Sequence, residues 1–118
     1  MLTDYLNMFK DLQISKEELK NQLGDNLFSI EIEHPVKIFY TDVVNLLHAF
    51  RDSKISLNHL LEWVNVVWFT ELFEYDEEYC DSIASVLNKL EELDEEGVEL
   101  TEANIEEYID ALVNNKEI

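Results

Sequence analysis

Turn-forming residues are scarce in this sequence of 118 residues, which contains two glycines and one proline. Folds made of many short strands need a turn every few residues, and glycine and proline usually build those turns. Their scarcity argues against a sandwich or a barrel and favours helices joined by short connections. The chain is 47% hydrophobic and 11% aromatic, whereas disordered charged chains are poor in aromatics. We therefore expect a single domain over residues 1–118.

Cysteine and long apolar runs are also scarce. Cys80 is the only cysteine, so no internal disulfide can form. The N-terminal residues Met1-Leu-Thr-Asp-Tyr lack the basic and apolar regions of a secretion signal. The longest apolar run, residues 64–69, is interrupted by Asn65 and is too short to span a bilayer. These features predict a cytoplasmic protein without a membrane segment.

Positive charge is nearly missing from the second half of the chain. Residues 55–118 hold eighteen Asp and Glu against two Lys, a net of −16 out of −19 for the whole chain. Charge of this density weakens the compact state by self-repulsion. It is also repelled by phosphate backbones and by anionic lipid. The imbalance therefore argues against nucleic-acid and membrane binding, and it favours either a basic protein partner or a role in solubility.

Several helix starts are marked by a capping residue. Ser15 is followed by Glu18 at the third helical position, which predicts a capping box. Ser56 and Thr101 each follow an apolar residue that can pack against the first helical turn. Thr41 and Asp76 have the right chemistry to cap two further helices. We expect Gly24 and Gly97 to close the second and the fifth helix.

Between these signals the hydrophobic pattern is helical, with one exception. Residues 57–69 are apolar nearly all round, which predicts a central helix covered on more than one side. In contrast, Phe28, Ile30 and Ile32 alternate with polar residues, which is typical of extended backbone. We predict a mainly α fold, a single compact bundle of five to six helices with a short extended or hairpin segment near residues 27–39.

The sequence offers little for catalysis or metal binding. His34, His48 and His59 lie on different predicted elements, and no zinc-type spacing occurs. Cys80 shares the apolar face of its predicted helix, so we interpret it as a core thiol. There is no glycine-rich phosphate loop and no nucleophile motif. We predict that the protein is not an enzyme and uses no cofactor.

One stretch resembles the first half of a calcium-binding loop. Residues 92–97 place acids at the first, third and fifth positions and Gly97 at the sixth. The twelfth position, where a bidentate Glu is needed, is Ala103, and the apolar eighth position is Glu99. We therefore expect no calcium site, and we interpret the stretch as a helix end followed by a new helix.

Two acidic clusters remain, and both are candidate partner-binding surfaces. Solubility needs only a modest net charge, and like charges four residues apart destabilise a helix, so we favour binding over a solvated face. The candidate residues of the first acidic cluster, with one aromatic, are Glu71, Glu74, Tyr75, Asp76, Glu77, Glu78 and Asp81. Those of the second acidic cluster are Glu91, Glu92, Asp94, Glu95, Glu96 and Glu99, and its acidic run continues through Glu102, Glu106, Glu107 and Asp110.

The first acidic cluster is interleaved with aromatic residues, at a predicted helix–loop–helix junction over residues 68–79. Charge steers an encounter, but residence time comes from buried anchors, and aromatics are preferred anchors. The candidate anchors are Trp68, Phe69, Phe73, Tyr75 and Tyr79.

Residues 42–63 and the stretch Leu100-Thr-Glu-Ala-Asn-Ile105 resemble a pattern in small acidic helical bacterial proteins. That pattern has a short helix, an Ile-Ser cap, a helix with Leu-x-x-Trp, an acidic helix and a terminal helix that starts Leu-Thr-x-x-x-Ile. Such proteins are similar to immunity proteins of contact-dependent or polymorphic toxin systems. The resemblance covers roughly residues 40–113. It carries over no binding residue, because immunity families share no functional motif.

The resemblance implies an immunity protein that binds and neutralises a cognate toxin domain. A dense carboxylate surface complements a basic, phosphate-binding one, so a nuclease is the expected toxin class. We expect the protein to be a monomer or weak dimer. A nucleic-acid mimic that inhibits a defence protein is an alternative of the same kind. A housekeeping helical adaptor or self-associating protein, whose charge serves solubility, is an alternative of a different kind.

Overall fold

Helices make up most of the chain in the computed structural model, which describes residues 2–24, 34–94 and 99–118. The helices are α1 (Leu2–Lys10), α2 (Lys16–Leu23), α3 (Tyr40–Arg51), α4 (Leu57–Phe69), α5 (Cys80–Glu91) and α6 (Glu102–Val113). Two short strands, β1 (Val36–Ile38) and β2 (Phe73–Tyr75), and a single 3-10 turn (Glu92–Asp94) complete the described elements. The predicted mainly α bundle of five to six helices is confirmed.

Three of the five predicted N-caps are confirmed. The side-chain oxygens of Ser15, Ser56 and Thr101 each accept a backbone N–H three residues further on, at 3.1 Å. Glu18 completes the predicted capping box by accepting the Ser15 N–H at 3.2 Å. These bonds satisfy amides that a helix start would otherwise leave unpaired.

The predicted caps at Thr41 and Asp76 are wrong. Helix α3 begins at Tyr40, and its N-cap is Phe39, whose N–H donates to the Asp42 carboxylate at 2.8 Å. Helix α5 begins at Cys80 after a turn over residues 77–79. Asp76 instead donates its backbone N–H to the Ile38 carbonyl at 2.9 Å, because it lies at the end of a strand.

The two strands pair in parallel, with Val36 opposite Phe73 and Ile38 opposite Tyr75. The predicted helix–loop–helix junction over residues 68–79 therefore contains a strand, which the sequence did not reveal. Of the predicted extended segment at 27–39, residues 27–33 lie outside the described part. Residues 36–38 of that segment pair in parallel with a strand that is distant in sequence. Two parallel strands need a long crossover connection between them. Here α3 and α4 form that crossover.

Helix α4 occupies the central position that its apolar sequence predicts. It packs against α2, α3 and α5, and Trp63 is the largest fully buried side chain. The Trp63 indole N–H donates to the Lys10 carbonyl at 3.2 Å, which ties the end of α1 to α4. The hydrophobic core around it draws residues from all six helices and both strands.

Because glycine is scarce, three helices end on other residues in the left-handed region. Leu12, Ser53 and Asn115 have φ of 64°, 61° and 53° after α1, α3 and α6. In each case the next residue donates its N–H to a carbonyl five residues back, as in a Schellman cap. Gly24 closes α2 as predicted, with φ of 105°. The predicted cap at Gly97 lies outside the described residues.

Replacing Ser53 by Gly should stabilise the protein. Left-handed backbone costs a residue with a Cβ about 1–2 kcal/mol. Gly avoids that strain, but it also raises the conformational entropy of the unfolded chain, which offsets part of the gain. We expect Ser53→Gly to raise the free energy of unfolding by about 0.5–1 kcal/mol in urea denaturation. The control is Ser56→Gly, at an N-cap with φ of −81°, where Gly should lower stability by a few tenths of a kcal/mol. A loss of stability in Ser53→Gly would contradict the prediction.

Candidate functional site

The first acidic cluster lies on the surface around β2 and the start of α5. Glu71, Glu74, Glu77, Glu78 and Asp81 are exposed, and Asp76 is half-buried. In β2, Phe73 and Tyr75 point towards the core while Glu74 points to solvent. The structure therefore brings the six predicted acids of this cluster onto one continuous stretch of surface chain.

The strand pairing places a second segment beside these acids. Because the strands are parallel, the chain leaves β1 through Phe39 and Tyr40 at the same end where it leaves β2 through Asp76. The rings of Tyr40 and Tyr79 stack there, with centroids 4.4 Å apart. The N-termini of α3 and α5 consequently lie next to each other, with the acids of the α5 start around them.

The first acidic cluster lies apart from the ion pairs that the structure describes. Over residues 2–24, 34–94 and 99–118, no ion pair reaches any of its six acids. Lys37 faces Glu74 across the strand pair, without an ion pair between them. The positive ends of two helix dipoles favour negative charge at this place. The cluster is thus compatible with the fold and remains available to an external cation.

Tyr75, the aromatic predicted to bind a partner, is half-buried and belongs to the packing of the core edge. Its ring stacks on Trp68, with centroids 6.4 Å apart, and burial raises the pKa of its hydroxyl to about 12. Phe73 is buried against Phe9. Trp68 and Tyr79 are half-buried. Of the predicted anchors, Phe69 is the most exposed, at 51%.

The second acidic cluster is built from the end of α5 and from α6. Glu91 is half-buried, and Glu92 and Glu99 are exposed. Glu95, Glu96 and the side chain of Asp94 lie outside the described part. Burial raises the pKa of the Tyr108 hydroxyl, and the nearby charges of Glu107 and Glu92 raise it further. Carboxylates from both helices therefore converge on that hydroxyl.

The acids at the end of α5 lie away from the first acidic cluster, although the chain beyond α6 returns to it, since the Asn115 side-chain amide donates to the Glu78 carbonyl at 3.0 Å. The first surrounds the N-terminal end of α5, and the second begins at its C-terminal end. The length of α5, at about 1.5 Å per residue, separates them by roughly 17 Å along the helix axis. A small partner surface would contact one cluster at a time, whereas a large one would have to extend along α5.

Other candidate chemistry is limited. Within the described residues, no group of three His, Cys, Asp or Glu side chains is placed to hold a metal ion. Cys80 is half-buried, and burial together with the Asp81 carboxylate raises its thiol pKa, which disfavours the nucleophilic thiolate. The His59 Nε2 atom is buried without a hydrogen-bond partner among the described residues.

Comparison of the chain with protein-family models, with curated proteins and with solved structures finds no match. Among the described residues, no helix has the length and apolar character needed to cross a membrane.

The functional candidate that sequence reasoning missed is Phe39, which is 43% exposed at the junction of β1 and α3. Its neighbours in sequence give no signal, since Ile38-Phe39-Tyr40 reads as a buried apolar run. Only the pairing of β1 with β2 places Phe39 beside the first acidic cluster.

The burial of Tyr75 can be tested by alkaline titration. Its pKa in the folded protein is raised to about 12, so the folded state favours the protonated phenol. The corresponding stabilisation is present below pH ~10, the pKa of an exposed tyrosine, and is lost as the pH rises towards 12. Absorbance at about 295 nm, where tyrosinate absorbs, should show a late-titrating phenol that Tyr75→Phe removes. Tyr5→Phe is the control and should leave that late step in place. A Tyr75 phenol that ionises near pH 10 would show that its ring is accessible to a partner.

Proposed function

We propose that this protein is an immunity protein that binds a cognate toxin domain, with a nuclease as the expected class, and covers its basic active site. The observation that supports this most directly is the first acidic cluster, six acids within residues 71–81, five of them exposed, that form no ion pair with a described cation. A surface with this charge and no internal neutralisation is the complement of a phosphate-binding face.

The two acidic clusters have complementary roles in this proposal. The net charge of the 118-residue chain is −19, and both acidic clusters contribute to it. The resulting long-range field steers a basic partner towards the protein. Such steering raises the association rate, and it weakens as salt screens the charges. The lifetime of the complex then depends on contacts at the docking surface itself.

A second function, a helical adaptor whose charge serves only solubility, is favoured by one observation. The acids at the start of α5 lie where a helix dipole stabilises negative charge. That interaction accounts for part of the first acidic cluster without any partner.

The proposal predicts that a neighbouring gene encodes a large protein with a variable C-terminal toxin domain, and that domain is the partner to test. We expect the wild-type protein to inhibit that domain and to bind it with an association rate that falls at least roughly tenfold between about 50 and 500 mM salt. Removing three charges from the first acidic cluster in E77Q/E78Q/D81N should slow association by roughly threefold to tenfold, with little change in the circular dichroism spectrum.

The matched control is D11N/E17Q/D52N, which removes the same charge from exposed residues of the first half of the chain. The variant E92Q/E99Q/E102Q tests the second acidic cluster in the same way. Equal association rates for all three variants would show that net charge, rather than a docking surface, controls the encounter. Failure of the wild-type protein to bind or inhibit the neighbouring toxin domain would overturn the immunity function and favour the adaptor.

A further inference from the structure

Phe39 is an exposed aromatic side chain whose position is fixed by the backbone around it. Large hydrophobic residues with exposed surface are few among the described residues, namely Phe39, Phe69, Val113 and Ile118. The Phe39 backbone N–H donates to the Asp42 carboxylate at 2.8 Å, and its carbonyl accepts the Asp42 N–H at 3.0 Å. These bonds fix the backbone that carries the ring, so little backbone freedom is lost when a partner covers it.

The segment that carries Phe39 runs alongside the most acidic part of the first acidic cluster. The Asp76 N–H donates to the Ile38 carbonyl at 2.9 Å, and Tyr40 stacks on Tyr79. Phe39 lies between these two contacts in sequence, so it flanks the stretch Asp76-Glu77-Glu78. By continuation of the strand register, Phe39 lies opposite Asp76, on the outer face that also carries Glu74 and Lys37.

This combination of a ring and carboxylates fits one kind of group in particular. The guanidinium of arginine stacks on an aromatic face and donates a fork of hydrogen bonds to a carboxylate. Lysine satisfies the charge but not the planar stacking. A basic protein surface that presents an arginine is consequently the partner that the Phe39 surface fits best.

The other exposed hydrophobic positions lack this complementarity. Val113 lines a groove between α3 and α6 that contains Arg51 together with Glu106 and Asp110, so charges of both signs are present. Asp110 is already paired with Lys116 at 3.7 Å. Phe69 ends α4 and is followed closely by one acid, Glu71.

We infer that Phe39, together with Asp76, Glu77 and Glu78, forms the anchor of the docking surface and accepts an arginine side chain of the basic partner. This inference rests on the proposed function, since it assumes that the partner is a basic protein. It assigns docking to the first acidic cluster and leaves long-range steering to the second.

A peptide probe tests the anchor without the toxin. We would titrate isotope-labelled protein with a hexa-arginine peptide and, separately, with a hexa-lysine peptide, and follow amide chemical shifts by NMR. The largest shifts are expected at Phe39 and at residues 76–81, with tighter binding of the arginine peptide. Phe39→Ala should weaken that binding by at least about threefold, and Phe39→Leu should weaken it nearly as much if the aromatic face is what matters. The control, Val113→Ala, trims another hydrophobic side chain that is 51% exposed and lies outside both candidate docking surfaces, and it should leave binding unchanged.

Three results would overturn the anchor: largest shifts within residues 91–94 or 99–110, unchanged peptide binding in Phe39→Ala, or an equal loss in Val113→Ala. The outcome is separate from that of the toxin experiment. Arginine binding at Phe39 without binding of the neighbouring toxin domain would reject the immunity function but keep the site. Toxin inhibition with peptide binding elsewhere would keep the function and reject the site.

Discussion

The parallel pairing of β1 with β2 is the interaction on which the rest of the structure depends. It joins two three-residue segments that are far apart in sequence, with α3 and α4 between them. Its inner face is apolar, with Val36, Ile38 and Phe73 buried, so burial of side chains accompanies each hydrogen-bonded step. Because both strands point the same way, both helices that follow them start at the same end of the pair. The Tyr40–Tyr79 stack and the position of Phe39 beside Asp76 are direct consequences.

The large negative charge is compatible with this fold because it is kept almost entirely outside the core. Among the described residues, the buried polar side chains are Thr70 and Ser82, and neither is charged. The Thr70 hydroxyl donates to the Val66 carbonyl and the Ser82 hydroxyl to the Tyr79 carbonyl, so both are satisfied. Asp42 is an informative intermediate case. Burial raises its pKa, whereas the Phe39 N–H and Lys10, with Nζ 3.9 Å away, act in the opposite direction. The folded protein thus buries part of the Asp42 carboxylate, and it uses that group to hold the Phe39 backbone.

Local sequence signals predicted the helices well. The features that were missed depend on the pairing of segments that are distant in sequence. The caps at Ser15, Ser56 and Thr101, and the central helix over residues 57–69, depend on interactions within a few residues, so the sequence contains them directly. The strand at residues 73–75 has a pattern too short to recognise, and its partner lies beyond two helices. The wrong caps at Thr41 and Asp76 have the same origin, because strand pairing rather than local preference decides where α3 and α5 begin. For the same reason, the acidic residues could be assigned to the surface from sequence, but the exposed ring of Phe39 could not be placed beside them.

The two acidic clusters differ in their effect on the stability of the helices that carry them, and this difference bears on where a partner binds. The first surrounds the start of α5 and lies close to the start of α3, where helix dipoles favour negative charge. The second begins with Glu91 and Glu92 at the end of α5, where the dipole disfavours negative charge, and continues with Glu99 and Glu102 near the start of α6, where the dipole favours it. A docking surface should be well ordered as well as charged, because ordering a flexible surface on binding costs free energy. At the first cluster, the negative charge that attracts a basic surface also stabilises the helix that displays it. Binding and folding therefore both favour acidic residues at these positions. At the α5 end of the second cluster, the charge that attracts a partner destabilises the helix that carries it, and long-range attraction, which needs charge but no fixed geometry, is the role that tolerates this cost.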